Sequence, residues 1–293
     1  MLKKVVNYYD IMKIDWNEQW KTMMSDSMNN RGDSAAISCP RYWDTPERAR
    51  DYLKNYGCDS DINKNREKLI QELHLKPDSQ VLEIGPGPGV LTIPMARMAG
   101  QVTVVEPSAG MATVLHERIE SENIQNISLI QKRWEDVNPD DFDNKFDLVL
   151  ASYSLGMHDI KAAIEKMNSI CQEKVVLFWH ADIPQFELLY SMVWPDLFGR
   201  EYISGPKSDV LFNVLYEMGI YPSVEYHEFI QKQTFSSIQA LEDYFRYQHY
   251  LELDSSVSGF QKYFEKFIQE ENGVFTHYER LPGMKFQWKA ENN

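Results

Sequence analysis

Two acids and three glycines are the residues of this chain whose types and spacing most directly imply chemistry. Val81-Leu82-Glu83-Ile84 is a short apolar run carrying one carboxylate, and it stops in Gly85-Pro86-Gly87-Pro88-Gly89. The run suits a strand buried on both faces of a parallel sheet. The alternating glycines permit unusual φ/ψ values and let the backbone approach a ligand closely. Val90 to Met98 reads as a helix whose free N–H groups point at the same place. A carboxylate two residues before such a turn opposes a pyrophosphate and favours a ligand bearing an ammonium or sulfonium group. Val90 also stands where a dinucleotide fingerprint has its third glycine. Gln101 to Val105 forms a second apolar strand ending in Glu106, seventeen positions after Gly89. An acid at about 20 residues beyond the glycines can accept hydrogen bonds from ribose hydroxyls. Each charge-assisted bond of that kind contributes roughly 1.5 to 3 kcal/mol.

Glu83-x-Gly85-x-Gly87-x-Gly89, followed by Glu106-Pro107-Ser108-Ala109-Gly110-Met111, resembles the class I S-adenosylmethionine-dependent methyltransferases. The resemblance implies that the glycine loop runs beneath the methionine part of S-adenosylmethionine, that Glu106 holds the ribose, and that Pro107 and Met111 pack on the adenine. It continues to about Asp182. Gln131-Lys132-Arg133-Trp134-Glu135-Asp136-Val137 occupies the adenine-edge segment. Arg133 stands where many members carry the acid that bonds the adenine amino group, which passes that role to Trp134 and Glu135. Phe146 to Leu155 resembles the fourth strand and the loop bordering the transferable methyl, placing Ser152 among the cofactor contacts.

These residues need a scaffold. Strands at Val81–Ile84, Gln101–Val105, Asn126–Ile130, within Phe146–Leu155 and at Lys174–Trp179 alternate with helical segments from about residue 66 to 182, the signature of right-handed βαβ units. The expected fold is a Rossmann-like, doubly wound α/β sheet of seven strands, mostly parallel with an antiparallel closing strand. Its ligands should lie at the carboxyl ends of the strands. Residues 1–65 are expected to form an N-terminal helical cap and residues 66–293 the cofactor-binding domain, with insertions at about 183–206 and 236–272.

The insertions and the cap should decide the substrate, because a shared core leaves specificity to its appendages. The cap is rich in aromatics, and at least one of Tyr8, Tyr9, Trp16, Trp20 and Trp43 is expected to face the site. The apolar stretch from Ile183 to Pro206 reads either as a pocket cover or as the contact of a homodimer. Lys207 to Met218 reads as an amphipathic helix and Ser223 to Gln231 as a strand. Ser236 to Glu271 reads as a helical lid, with Val274–Arg280 and Met284–Trp288 as a closing strand or hairpin.

Methyl transfer needs a general base only if the nucleophile is protonated. His158 after the fourth strand and His180 with Asp182 after the fifth are the candidates, and Tyr153 could orient the acceptor through its hydroxyl. Residues 151 to 156, Ala-Ser-Tyr-Ser-Leu-Gly, lack the Asn/Asp-Pro-Pro-Tyr pattern of amino-directed methyltransferases acting on nucleobases or glutamine. A small-molecule acceptor is therefore expected. Composition agrees: 44 acidic residues against 30 basic ones give a net charge of −14, and no Lys/Arg run exceeds two residues. That balance disfavours nucleic acid as a partner.

Of the 293 residues, 43% are hydrophobic and 25% charged, which suits one globular enzyme. Charges interrupt the first twenty residues, so no signal peptide is expected, and no apolar run is long enough to span a bilayer. Cys39, Cys58 and Cys171 show no metal-ligand spacing, which predicts no metal site and a cytoplasmic setting. Two other readings compete: a protein that binds S-adenosylmethionine as a sensor or assembly partner without catalysis, and a nicotinamide-dependent oxidoreductase. Glu83 and the missing third glycine oppose the latter.

Overall fold

The computed structural model describes residues 14–31, 43–57, 60–248, 261–271 and 273–290. Tyr8, Tyr9, Cys39 and Cys58 therefore lie outside the described residues. Three helices come first, α1 (Trp16–Arg31), α2 (Pro46–Gly57) and α3 (Ser60–Glu72). The alternating core follows as β1 (Gln80–Ile84), α4 (Thr92–Ala96), β2 (Gln101–Val105), α5 (Ala109–Ser121), β3 (Ile127–Ile130), β4 (Phe146–Ser152), α6 (Ile160–Ile170) and β5 (Cys171–His180). The last third contains α7 (Gln185–Phe198), α8 (Ser208–Glu217), β6 (Ser223–Phe235), α9 (Ile238–Gln248), α10 (Gln261–Phe264), β7 (Ile268–Glu271) and β8 (Val274–Lys289).

The strands assemble in the order β3-β2-β1-β4-β5-β8-β6, with β7 paired to β8. β1 to β5 are mutually parallel, and β8 runs antiparallel to β5, β6 and β7. The strand order reverses between β1 and β4, whose carboxyl ends flank the crevice where ligands of open α/β sheets bind.

Burial on both faces explains the nearly continuous apolar strands. In β4, Val149 and Ala151 join the core that includes Trp20, Leu82 and Phe286, while Leu148 and Leu150 join the one with Val81, Val104 and Phe178. Side chains alternate across the sheet at every strand residue, so one seven-residue strand feeds two cores. Capping fixes the helices at the same edge: Ser108 Oγ accepts the Met111 N–H at the start of α5, and Asp159 the Ala162 N–H at the start of α6.

Four local expectations change. The helix after the glycines is regular only over Thr92–Ala96, shorter than the expected Val90–Met98. Gly89, with φ 81°, keeps the chain in a turn up to that point. The sheet has eight strands among the described residues, because the lid segment supplies β7 as well as α9 and α10. The closing element is one 16-residue strand, β8, that passes through Pro282-Gly283 without a turn. Its partner β6 extends to Phe235, four residues beyond the expected end.

β6 and β8 both outrun the rest of the sheet. His180, the last residue of β5, pairs with Gly283, which pairs with His227 on β6. From Glu228 to Phe235 the β6–β8 ladder continues past that level, about 25 Å at the rise of a strand. There it carries a separate apolar cluster in which Leu189 and Val193 of α7 meet Leu241, Phe245 and Tyr263. Among the described residues no helix is long and apolar enough to cross a membrane, and no group of His, Cys, Asp and Glu is placed to hold a metal ion.

Candidate functional site

The turn after β1 is built on left-handed backbone: Gly85, Gly87 and Gly89 have φ of 68°, 56° and 81°. Two of the three serve different ends. A Cβ at Gly85 would run into the Ser154 side chain, whose Oγ donates to the Ile84 carbonyl at 2.5 Å, so this glycine lets the loop after β4 close against β1. At Gly87 only the Met111 sulfur lies within 4 Å, at 3.8 Å. The middle glycine is the one whose bare backbone faces space.

Two buried carboxylates flank this turn. Glu83, 2% exposed, accepts a hydrogen bond from the Thr92 hydroxyl at 2.6 Å. Glu106, 5% exposed, accepts the Ser108 N–H on Oε1 at 2.9 Å and the Gly87 N–H on Oε2 at 3.0 Å. Burial pushes both groups up to about 7; the hydrogen bonds oppose it, and Glu106 adds repulsion to Glu83. A cation placed beside them would draw both acids back to the ionised form. Each carboxylate also retains lone pairs beyond the bonds it accepts. The turn therefore suits a positively charged ligand that also carries hydroxyl donors.

The cap closes over the same place. Ala49 packs with Met111 and Val114 of α5, joined by Trp43, Tyr52 and Leu53. Ser108 ties the two parts together, since its Oγ donates to the Trp43 carbonyl at 2.7 Å while its N–H is held by Glu106. Arg50 of α2 meets Glu117 of α5 at 2.6 Å. Pro107 is half-buried beside Glu106, and Ser152 ends β4 opposite Phe178 of β5.

Trp134 and Glu135, the expected adenine-edge residues, lie in the segment between β3 and β4. Trp134 is 2% exposed, donates its indole N–H to the Ala163 carbonyl at 3.2 Å and lies under Lys166, so its polar atom is committed to α6. The Glu135 side chain pairs with Arg133 at 2.7 Å. These contacts with α6 and with a chain neighbour are not revealed by the local sequence.

Beyond the glycine turn, aromatic rings line the carboxyl ends of β4 and β5. Trp179 contacts Trp20 of α1 at 5.9 Å between centroids and His180 at 5.2 Å. His180 in turn meets Tyr153 at 4.9 Å and Phe186 of α7 at 6.1 Å. Burial, with Lys207 nearby, pushes His180 down to about 3, so the ring is neutral, and its Nδ1 is enclosed without a partner. His158 is exposed and bonded to Ser25 of α1 at 3.1 Å, apart from this group. Trp20 is fully buried with its N–H on the Met157 carbonyl, so its contribution is to hold α1 on the core.

Tyr153 adopts φ 53°, a costly conformation for a non-glycine residue. Its hydroxyl lies 2.8 Å from Nε2 of His227, in β6. Sequence reading passed over His227 because the strand could be recognised while its register against β8 could not. Only that register brings position 227 level with His180.

Residues 81–174 match the model of a family described as methyltransferase domain. An uncharacterized protein of Haemophilus influenzae is 31% identical over 162 residues, which span 55% of this chain and 58% of that protein. The ribosomal RNA small subunit methyltransferase A of Desulforapulum autotrophicum is 39% identical over 71 residues, 24% of this chain and 25% of that protein. The chain thus spans less than two thirds of the length of either relative. Among solved structures, one from Bacillus halodurans that is provisionally assigned as a methyltransferase superposes with a TM-score of 0.52 at 17% identity, over 78% of this chain and 100% of that one. That likeness is one of fold.

Proposed function

We propose that this chain moves a methyl group from S-adenosylmethionine to a small, partly apolar or aromatic acceptor, a reading supported by the match of residues 81–174 to a methyltransferase-domain model and by the likeness of the fold. The observation that carries the reading is the pair of buried acids around a side-chain-free turn. Glu83 and Glu106 suit a sulfonium-bearing nucleoside, and the open backbone at Gly87 supplies the close approach it needs. Glu106 would take the ribose hydroxyls, Met111 and Pro107 the base, and Gly85, Gly87 and Gly89 the methionine part. When bound, S-adenosylmethionine supplies an already activated methyl group.

What the chain must add is alignment and exclusion of water. α1, α2 and the loop after β4 cover the carboxyl edge, and the rings of Tyr153, His180 and Phe186 offer an apolar wall for an acceptor. A neutral His180 with a value near 3 is a poor proton acceptor at physiological pH. The proton of a hydroxyl acceptor would have to leave by another group.

The ribosomal RNA methyltransferases among the relatives make RNA the competing acceptor. Against RNA stand the net charge of −14 and the Ser152-Tyr153-Ser154-Leu155 loop in place of an amino-directed motif. Calorimetry with S-adenosylmethionine and S-adenosylhomocysteine tests the cofactor: binding should be lost in Gly87→Val and Glu106→Ala with the fold intact, and unchanged affinity in both variants would sink the reading. Incubation with methyl-labelled S-adenosylmethionine in metabolite extract and in ribosomal RNA then separates the acceptors. Label confined to the RNA would replace the small-molecule assignment.

A further inference from the structure

Tyr153 is held by more constraints than packing a loop requires. Its backbone is left-handed, its N–H donates to the Phe178 carbonyl at 3.0 Å, its ring lies against His180, and its hydroxyl meets His227 Nε2. Space for the last contact comes from β8: a Cβ on Gly283 would collide with both the Tyr153 hydroxyl and the His227 ring. Residues from the loop after β4, from β6 and from β8 thus cooperate to set one phenol oxygen at the carboxyl edge, between Ser152 and the Ser154 that touches the glycine turn. A non-glycine residue kept in such a conformation marks a place where the surroundings enforce a role.

Hydrogen-bond accounting gives the role. A tyrosine hydroxyl has one proton and two lone pairs, and a neutral imidazole has one accepting nitrogen. With the Tyr153 proton donated to His227 Nε2, the oxygen can only accept from any further partner. A second partner must then be an X–H donor, and the rings of Tyr153, His180 and Phe186 favour one that is flat and aromatic.

We propose that Tyr153 and His227 form a proton relay for an aromatic acceptor bearing a hydroxyl group, with Tyr153 touching the acceptor oxygen and His227 acting through it. The inference rests on the methyltransferase reading above. In the step, the acceptor O–H proton passes to Tyr153 Oη as the tyrosine proton passes to His227 Nε2. The acceptor is left as an oxyanion, Tyr153 is neutral before and after, and His227 becomes an imidazolium that returns a proton to solvent from its partly exposed side. Every proton is conserved and no oxidant or reductant is needed. Tyr153 itself never needs to ionise, consistent with burial pushing its hydroxyl above the ordinary range. The groups facing His227 are Tyr153 from the loop after β4, Glu225 on its own strand and Lys285 on β8, and Lys285 is itself paired with Glu72 and Glu225. Burial lowers the proton affinity of His227 and keeps the free imidazole neutral, while Glu225 opposes that shift and favours the imidazolium formed in the step.

A test without turnover uses 4-nitrophenol, whose absorbance separates phenol from phenolate, added to the full chain saturated with S-adenosylhomocysteine. That product is uncharged at sulfur, so any ionisation must be driven by the protein. The probe should bind, and at a pH below its free titration midpoint the bound fraction should show at least a tenfold excess of phenolate over the free probe. Tyr153→Phe and His227→Gln should each remove that excess, and His227→Gln, whose amide still accepts the tyrosine proton, should keep probe affinity within about threefold. S-adenosylhomocysteine affinity, measured in parallel, should be unchanged in both variants. Failure to bind the probe, a bound probe that stays protonated, or an equal phenolate excess in either variant would overturn the relay. Failure to bind S-adenosylhomocysteine would instead remove the methyltransferase reading beneath it.

Discussion

Glu106 and Gly87 are joined across the glycine turn, the Gly87 N–H donating to Glu106 Oε2 at 3.0 Å while Oε1 holds Ser108. One carboxylate therefore shapes the glycine loop and the start of α5 together, and offers its remaining lone pairs to a ligand. Glu106→Gln keeps the side-chain size and removes the charge. It should weaken S-adenosylmethionine binding by roughly 10- to 100-fold, the range for losing a charge-assisted bond. Calorimetric affinity within threefold of the wild type would contradict the placement.

The same acid makes binding depend on pH. In the free protein Glu106 sits near 7, above its ordinary 4.5, so the folded form holds a proton that the unfolded chain releases first. Stability from this group is complete below about 4.5 and is lost as pH rises through 7. A bound cation reverses that loss. S-adenosylmethionine affinity should rise from pH 5.5 to 8, with proton release visible as a heat that changes with buffer. Glu106→Gln should gain stability relative to wild type over the same interval, on the order of 2 kcal/mol.

Gly85 and Gly87 should separate folding from binding. Gly85→Ala forces a Cβ into Ser154 and strains φ, so it should lower stability by about 2 to 4 kcal/mol in denaturant melts. At Gly87 a Cβ meets only Met111 at 3.8 Å, and Gly87→Ala should lose no more than about 1 to 2 kcal/mol. Its main effect should be on S-adenosylmethionine affinity. Equal melting losses in the two variants would contradict the division.

Ser108 caps α5 and bonds the Trp43 carbonyl. Ser108→Ala should cost about 1 kcal/mol through the lost cap. It should also loosen the cap segment, read as faster amide exchange in residues 46–57 with little change in β1 or β4. Unchanged exchange in α2 would show that Ser108 does not hold it.

His180 gives an opposite pH dependence. Its folded value near 3 lies below the ordinary 6.5, so the stability of the neutral buried ring is present above 6.5 and lost as pH falls toward 3. His180→Phe should therefore unfold less readily than wild type between pH 6 and 4, relative to the difference at pH 8. An unchanged difference would mean that His180 is already open to solvent.

The parallel core could be read along the sequence because each of its elements is local. β1, β2 and β4 are apolar runs whose burial needs no partner to recognise, and Glu83 and Glu106 mark the strand ends themselves. Trp134 could not be read this way, since its burial depends on where α6 lies. His227 and Gly283 were hidden for the same reason in stronger form. Their meeting with Tyr153 depends on the pairing of two strands more than fifty residues apart. The left-handed φ of Tyr153 carries no sequence signal, because tyrosine gives no hint of it.

β8 runs without interruption from the sheet that carries the cofactor turn out to the cluster of Leu241, Phe245 and Tyr263. The distal cluster is thus mounted on a stiff beam and shares no packing core with Glu83 or Glu106. Substitutions in that cluster leave the packing around the glycine turn as it is. One half of the molecule is free to diversify at the far end of a lever whose other end is anchored.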